Sequence, residues 1–118
     1  MTTCVDFDGT ICKHVDDTLV RFADFGPMLT SAETISSATV TCTADSALTI
    51  SAVAVITSDT SVPTRQGSRT IAANKGISFA LAAGTAIADD AEPIRMKISA
   101  TLSTGKIAVR TARLRVSN

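Results

Sequence analysis

The sequence predicts an all-β fold, an antiparallel β-sandwich of about seven short strands. Three observations predict it. Period-two alternation is the dominant signal: over residues 94–102, Ile94, Met96, Ile98, Ala100 and Leu102 fall on one face, and Arg95, Lys97, Ser99 and Thr101 on the other. That is the pattern of a half-buried antiparallel strand. Strand-length runs then recur along the chain, separated by clusters of Gly, Pro, Asn, Asp and Ser, as sandwiches require. Finally, no stretch carries an apolar stripe of helical spacing across a window of about eleven residues.

The elements follow in order. Residues 1–17 are polar, acidic and weakly patterned, which predicts an N-terminal arm, extended or ordered only against a partner. Residues 18–118 are then the sandwich domain. Leu19–Ala23 reads as a short first strand. Ile35–Thr43 places Ala38, Val40 and Cys42 on one face. Leu48–Thr57 is apolar on both sides, which predicts a strand covered on both faces or lying in an interface. A short element is expected around Arg69–Ala73. Over Ile77–Ala83, Ile77, Phe79 and Leu81 oppose Ser78, Ala80 and Ala82. The clearest expectation is a C-terminal hairpin. Residues 94–102 lead through a Ser103-Thr104-Gly105-Lys106 turn, where Gly105 can take positive φ, into a strand from Ile107 to Val116. Ala112, Leu114 and Val116 share one phase there, while Ile107 and Val109 hold the other. A bulge near Arg110–Thr111 would reconcile them.

Length and composition bound the answer. The chain has 118 residues, one domain's worth, with 45% hydrophobic and 19% charged residues, the balance of a globular protein. It has no Trp, no Tyr and four Phe, against 18 Ala, 18 Thr and 12 Ser. Small and β-branched side chains must therefore fill the interior. No uncharged run is long enough for a membrane span, and Asp6 and Asp8 stand where a secretory signal needs basic and apolar residues. Three cysteines, Cys4, Cys12 and Cys42, are an odd count without a C-x-x-C pair. This predicts free, reduced thiols and neither a disulfide framework nor a structural zinc site.

Charge is zero overall but segregated. Residues 1–34 carry −4, and residues 93–118 carry +6 through Arg95, Lys97, Lys106, Arg110, Arg113 and Arg115 with no acid. Arg95 and Lys97 share the outward face of one hairpin strand, and Arg113 and Arg115 that of the other, so pairing would gather a basic ridge. Like charges opposed across a ladder repel, so the ridge calls for a counter-charge. The expected interface is therefore Arg95, Lys97, Arg110, Arg113 and Arg115 meeting Asp6, Asp8, Asp16 and Asp17, within a chain or between copies. Nucleic acid is not the expected partner, because no aromatic residues are interleaved to stack on bases.

Two motifs invite chemistry. Asp6-Phe7-Asp8-Gly9-Thr10 resembles the nucleophile loop of haloacid-dehalogenase-like phosphatases, which would make Asp6 the nucleophile and Asp8 the acid/base in a Mg²⁺ site. That loop must follow a buried strand within alternating strands and helices, and neither is legible here. Cys12, His14, Asp16 and Asp17 lack four-ligand spacing. No catalytic, metal or cofactor site is expected, and the chain is expected not to be an enzyme.

The segments Asp24-Phe25-Gly26-Pro27 and Glu33-Thr34-Ile35-Ser36-Ser37-Ala38-Thr39-Val40, the Ala/Val/Thr-rich strands, and the closing Ile98–Lys106 and Arg113-Leu114-Arg115-Val116 resemble a group of small tailed-phage virion proteins described as fibre–tail adaptors. The resemblance covers about residues 18–118. It implies an immunoglobulin-like sandwich and a multi-copy structural role in the virion, assembled in the host cytoplasm. The implied partners are tail, neck or fibre proteins and copies of the chain itself, with no membrane. A capsid decoration or head-completion protein is the alternative in the same structural class.

Overall fold

The computed structural model describes residues 10–118 apart from 65, 66 and 89. These residues form nine strands: β1 (Thr10–His14), β2 (Leu19–Asp24), β3 (Ile35–Thr41), β4 (Leu48–Val55), β5 (Thr60–Thr64), β6 (Gly67–Ile71), β7 (Gly76–Ala83), β8 (Ile94–Leu102) and β9 (Ile107–Ser117). A single 3-10 turn at Gly26–Met28 is the one helical element among them. The chain is therefore all-β. The strands make a four-stranded sheet in the order β1-β9-β8-β3, a three-stranded sheet in the order β2-β7-β4, and a separate β5-β6 hairpin.

One hydrophobic core joins the two larger sheets, which makes the fold sandwich-like. The four-stranded sheet contributes Ile11, Met96, Ile98, Ala100, Leu102, Leu114 and Val116, and the three-stranded sheet contributes Ala23, Ile77, Phe79 and Leu81. Alternation puts these residues inside: every second residue of β7 and β8 faces the opposite sheet. Each large apolar side chain so buried stabilises the fold by about 1.5–3 kcal/mol. The C-terminal hairpin forms as expected, with Gly105 at φ 89° in its turn.

Four expectations are corrected. Residues 10–14 are a strand, not an extended arm: β1 lies parallel to β9 with Thr10 opposite Arg113 and His14 opposite Ser117. Residues 1–9 lie outside those described. β9 has no bulge, since its register against β8 is continuous from Leu114 to Ile107. Ile107 and Val109 simply face outward, 68% and 41% exposed. The bulge that resolves a phase conflict sits in β4 instead, between Ser51 and Ala54, where Ala52 takes φ 53°. It turns Leu48 and Ile50, then Val53 and Val55, toward the core. A strand that reads as apolar on both sides is thus a bulged edge strand covered on one side. Lastly, Cys12 is disulfide-bonded, whereas Cys42 is a free thiol; Cys4 lies outside the described residues.

β5 is the second strand not anticipated. It falls inside a stretch whose Ser, Asp, Pro and Gly read as a turn. The β5-β6 hairpin is fixed to the body at its base. Ile71 is buried, and the Asp59 carboxylate accepts the Ala73 N–H at 2.9 Å. The chain returns to β7 through Gly76, where a Cβ would come within 2.5 Å of Ile71 and 2.8 Å of the Ala23 carbonyl oxygen. Only glycine permits that approach.

Three buried polar side chains pin the loops. Lys13 is 2% exposed. Its ammonium donates to the carbonyls of His14 at 2.7 Å, Val15 at 3.4 Å and Ala83 at 2.6 Å, so it ties the end of β1 to the end of β7 in the opposite sheet. Asp45 accepts from Ala47 N at 3.0 Å, Thr85 N at 2.7 Å and the Thr85 hydroxyl at 3.1 Å. Glu33 accepts from Thr30 N at 2.9 Å and the Thr104 hydroxyl at 3.2 Å. Lys75 donates to the carbonyls of Thr30, Ser31 and Glu33 across the same loop.

Candidate functional site

The outward face of the four-stranded sheet gathers most of the expected basic residues. Residues opposite one another in register share a face, so Arg95 on β8 stands directly beside Arg113 on β9, and Lys97 beside Thr111. Ser99 and Thr101 continue the β8 row, and Ser37, Thr39 and Thr41 flank it from β3. No acidic side chain belongs to these four strands. Arg95 and Arg113 also border a polar cleft of about 210 Å³ with Glu92 and Pro93. The two opposed guanidinium groups have no ion-pair partner among the described residues. They repel across the ladder, and an incoming carboxylate would relieve that repulsion.

Not every expected cation joins them. Arg115 is half-buried and donates to the carbonyls of Ala88 at 3.1 Å and Ala91 at 2.6 Å, which anchors the loop ahead of β8. Arg110 faces the other way. It is opposite Ile98, on the core side of the sheet, and donates to the Asp24 carbonyl. There it borders a second cleft of about 210 Å³ floored by Ile11, Ala23, Phe79, Ile98 and Ala112. Arg69 stands at the same cleft, paired with the Asp24 carboxylate at 2.5 Å. This cleft has no signature in the sequence, because its wall comes from segments far apart in the chain.

The expected acids are placed in part. Asp6 and Asp8 lie outside the described residues. Asp16 and Asp17 sit exposed in the turn after β1. His14 organises that turn: its Nδ1 accepts the Asp16 N–H at 3.1 Å, and its carbonyl accepts the Asp17 N–H at 3.0 Å. A nitrogen that accepts carries no proton, so the 3.7 Å approach of the Asp16 carboxylate to Nδ1 is not an ion pair in this arrangement. No group of three or more His, Cys, Asp or Glu side chains among the described residues could hold a metal. No helix among them is long and apolar enough to cross a membrane.

No protein-family model, curated protein or solved structure matches the chain.

The buried carboxylates give the fold a pH dependence of known sign. Burial pushes the Asp45 carboxyl up, but the N–H groups of Thr85, Ala47 and Leu48 and the Thr85 hydroxyl outweigh it and hold the group below its ordinary value. At Glu33 the Thr30 N–H is the largest influence and lowers the pKa; burial opposes it, and Thr104 and Lys106 reinforce it. A carboxylate depressed in the folded state stabilises above its unfolded pKa, and that stability is lost as pH falls through the folded value. The expected result is a midpoint of urea unfolding that is flat near neutrality and falls below about pH 4. The variant Asp45→Asn should flatten the acid limb, which a urea titration at several pH values would reveal.

Proposed function

We propose that the chain is a non-enzymatic structural protein of a tailed-phage virion, an immunoglobulin-like sandwich that joins tail, neck or fibre proteins to the particle in several symmetric copies. The observation that carries this reading is the outward face of the four-stranded sheet, whose strands carry no acidic side chain and which opposes Arg95 and Arg113 near one end of the β8–β9 ladder. Such a face suits an acidic protein surface presented repeatedly, copy after copy. Strand order supports the immunoglobulin-like part. Taking β2, β3, β4, β7, β8 and β9 as strands B to G gives sheets B-E-D and C-F-G. The phosphatase reading of Asp6 and Asp8 needs a parallel sheet with intervening helices, and an all-β chain does not supply one.

In this account the acidic N-terminal region of one copy, with Asp6, Asp8, Asp16 and Asp17, approaches the Arg95, Lys97 and Arg113 face of the next. Such a contact is heterologous and closes into a ring when the rotation allows. Joint replacement Arg95→Glu and Arg113→Glu is expected to weaken self-association by about tenfold or more, read by light scattering across a dilution series. Raising salt from about 0.05 to 0.5 M should mimic it in the parent protein. The double variant keeps like charges opposed, so its fold stability should stay within about 0.5 kcal/mol of the parent. Association that responds to neither change would remove the basic face from the account.

A further inference from the structure

Five large apolar side chains are exposed among the described residues, and four of them stand in two pairs. Ile107 and Val109 are one pair, on the outward row of β9 that continues through Thr111 to Arg113. Val20 and Phe22 on β2 are the other, 56% and 39% exposed. Their register partners on β7 are Ala80 and Ser78. The alternate residues of β7, Ile77, Phe79 and Leu81, are buried in the core, so Val20 and Phe22 point outward from the three-stranded sheet. The two pairs therefore lie on opposite sides of the sandwich. Their neighbours are short and uncharged: Ala80 and Ser78 beside one pair, Thr101 and Ser99 beside the other. Asp24, at the far end of the β2 row, is already paired with Arg69. Exposed apolar side chains grouped on one face mark an interaction surface.

Each pair has opposite charge at the same spacing. From Ile107 the chain runs two residues to Val109 and four more to Arg113, with Arg95 beside it on β8. From Phe22 it runs back two residues to Val20 and four more to Asp16, with Asp17 next to it in the turn. Both acids and both cations are exposed. We propose that the outward face of the three-stranded sheet of one copy seats on the outward face of the four-stranded sheet of the next. Laid antiparallel, the two strips put Phe22 over Ile107, Val20 over Val109, and the Asp16 and Asp17 carboxylates over Arg113 and Arg95. The apolar contact excludes water, and the carboxylates relieve the repulsion between the two guanidinium groups. The parallel arrangement would carry the acids past Ile107, away from the guanidinium groups, so charge fixes the direction. The contact is heterologous. Because its two halves lie on opposite sides of the sandwich, copies add in one direction and close into a ring only if each step rotates. The contact rests on the self-association proposed for the basic face, and it names the surface that meets that face.

Sedimentation equilibrium of the full chain tests this with two charge-reversed variants, Asp16→Lys with Asp17→Lys and Arg95→Glu with Arg113→Glu. The His14 bonds in the turn are made to the backbone N–H groups of Asp16 and Asp17, so the first variant keeps them. Each variant alone should associate about tenfold more weakly than the parent. An equimolar mixture of the two should regain most of the association, because the reversed acids then face the reversed cations. Val20→Ser with Phe22→Ser leaves the basic face unaltered and should also weaken association by about tenfold. Three results would overturn the proposal: a mixture that stays dissociated, an apolar variant that associates like the parent, or a parent that is monomeric at about millimolar concentration. Either of the first two, with Arg95→Glu and Arg113→Glu still weakening association, removes this seat alone and leaves the basic face to another acidic surface. Absence of the chain from particles would instead remove the virion role.

Discussion

Lys13→Met should destabilise the fold by about 3 kcal/mol, read as a lowered urea midpoint at unchanged slope. Methionine keeps most of the volume and the apolar stem of lysine but donates nothing. The ammonium makes two short bonds, to the carbonyls of His14 and Ala83, and charge-assisted bonds of this kind contribute about 1.5–3 kcal/mol each. Dehydrating the ammonium offsets part of that, which places the net near the lower end of the sum. The effect should be larger than that of any surface lysine, because the bond to Ala83 crosses from one sheet to the other. A neutral outcome would mean that dehydration cancels the three bonds, and that the pairing of β1 with β9 and the burial of Ile11 suffice to hold it.

Phe79→Ala is expected to cost about 3–5 kcal/mol. The chain holds only four Phe and no larger side chain, so each buried ring carries an unusual share of the core. Phe79 is 1% exposed on β7, the central strand of the three-stranded sheet, and it faces the cleft between the sheets. Its loss leaves a void beside that cleft, among Ile11, Ile71 and Ile98, whose side chains lose their contacts with the ring. Against a total stability of about 5–15 kcal/mol for a domain of this size, the variant should sit near its unfolding transition at 37 °C. Thermal unfolding by circular dichroism would measure this. A loss below about 1 kcal/mol would show that the sheets close over the gap.

What could be read from the sequence follows from local periodicity. β7 and β8 were legible because their side chains alternate cleanly, and the turn at Gly105 because β8 meets β9 directly across it. β1 was not. Five residues pairing in parallel with the far end of the chain leave no local trace, and Lys13 at a core position hides the alternation of Ile11 with its neighbours. In β4 and β9 the phase conflict was visible, but its resolution depends on which side of each strand water reaches. β4 bends at Ala52 to keep its apolar residues inside, while β9 stays straight and leaves Ile107 and Val109 outside. The opposed Arg95 and Arg113 were foreseeable once the hairpin was read. The turning-in of Arg110 was not, because it depends on the continuous register that a bulge would have broken. The burial of Asp45 and Glu33 gave no signal either: their bonds to Ala47 and Thr30 are those of ordinary turns, and the partners that enclose them, Thr85 and Thr104, lie far along the chain.

Quantitative mass spectrometry of purified phage particles, counting this polypeptide against the major capsid protein, tests the structural role most directly. A fixed, small number of copies is expected in every particle, about a dozen for a symmetric tail joint. Particles of full infectivity that lack the polypeptide altogether would contradict it.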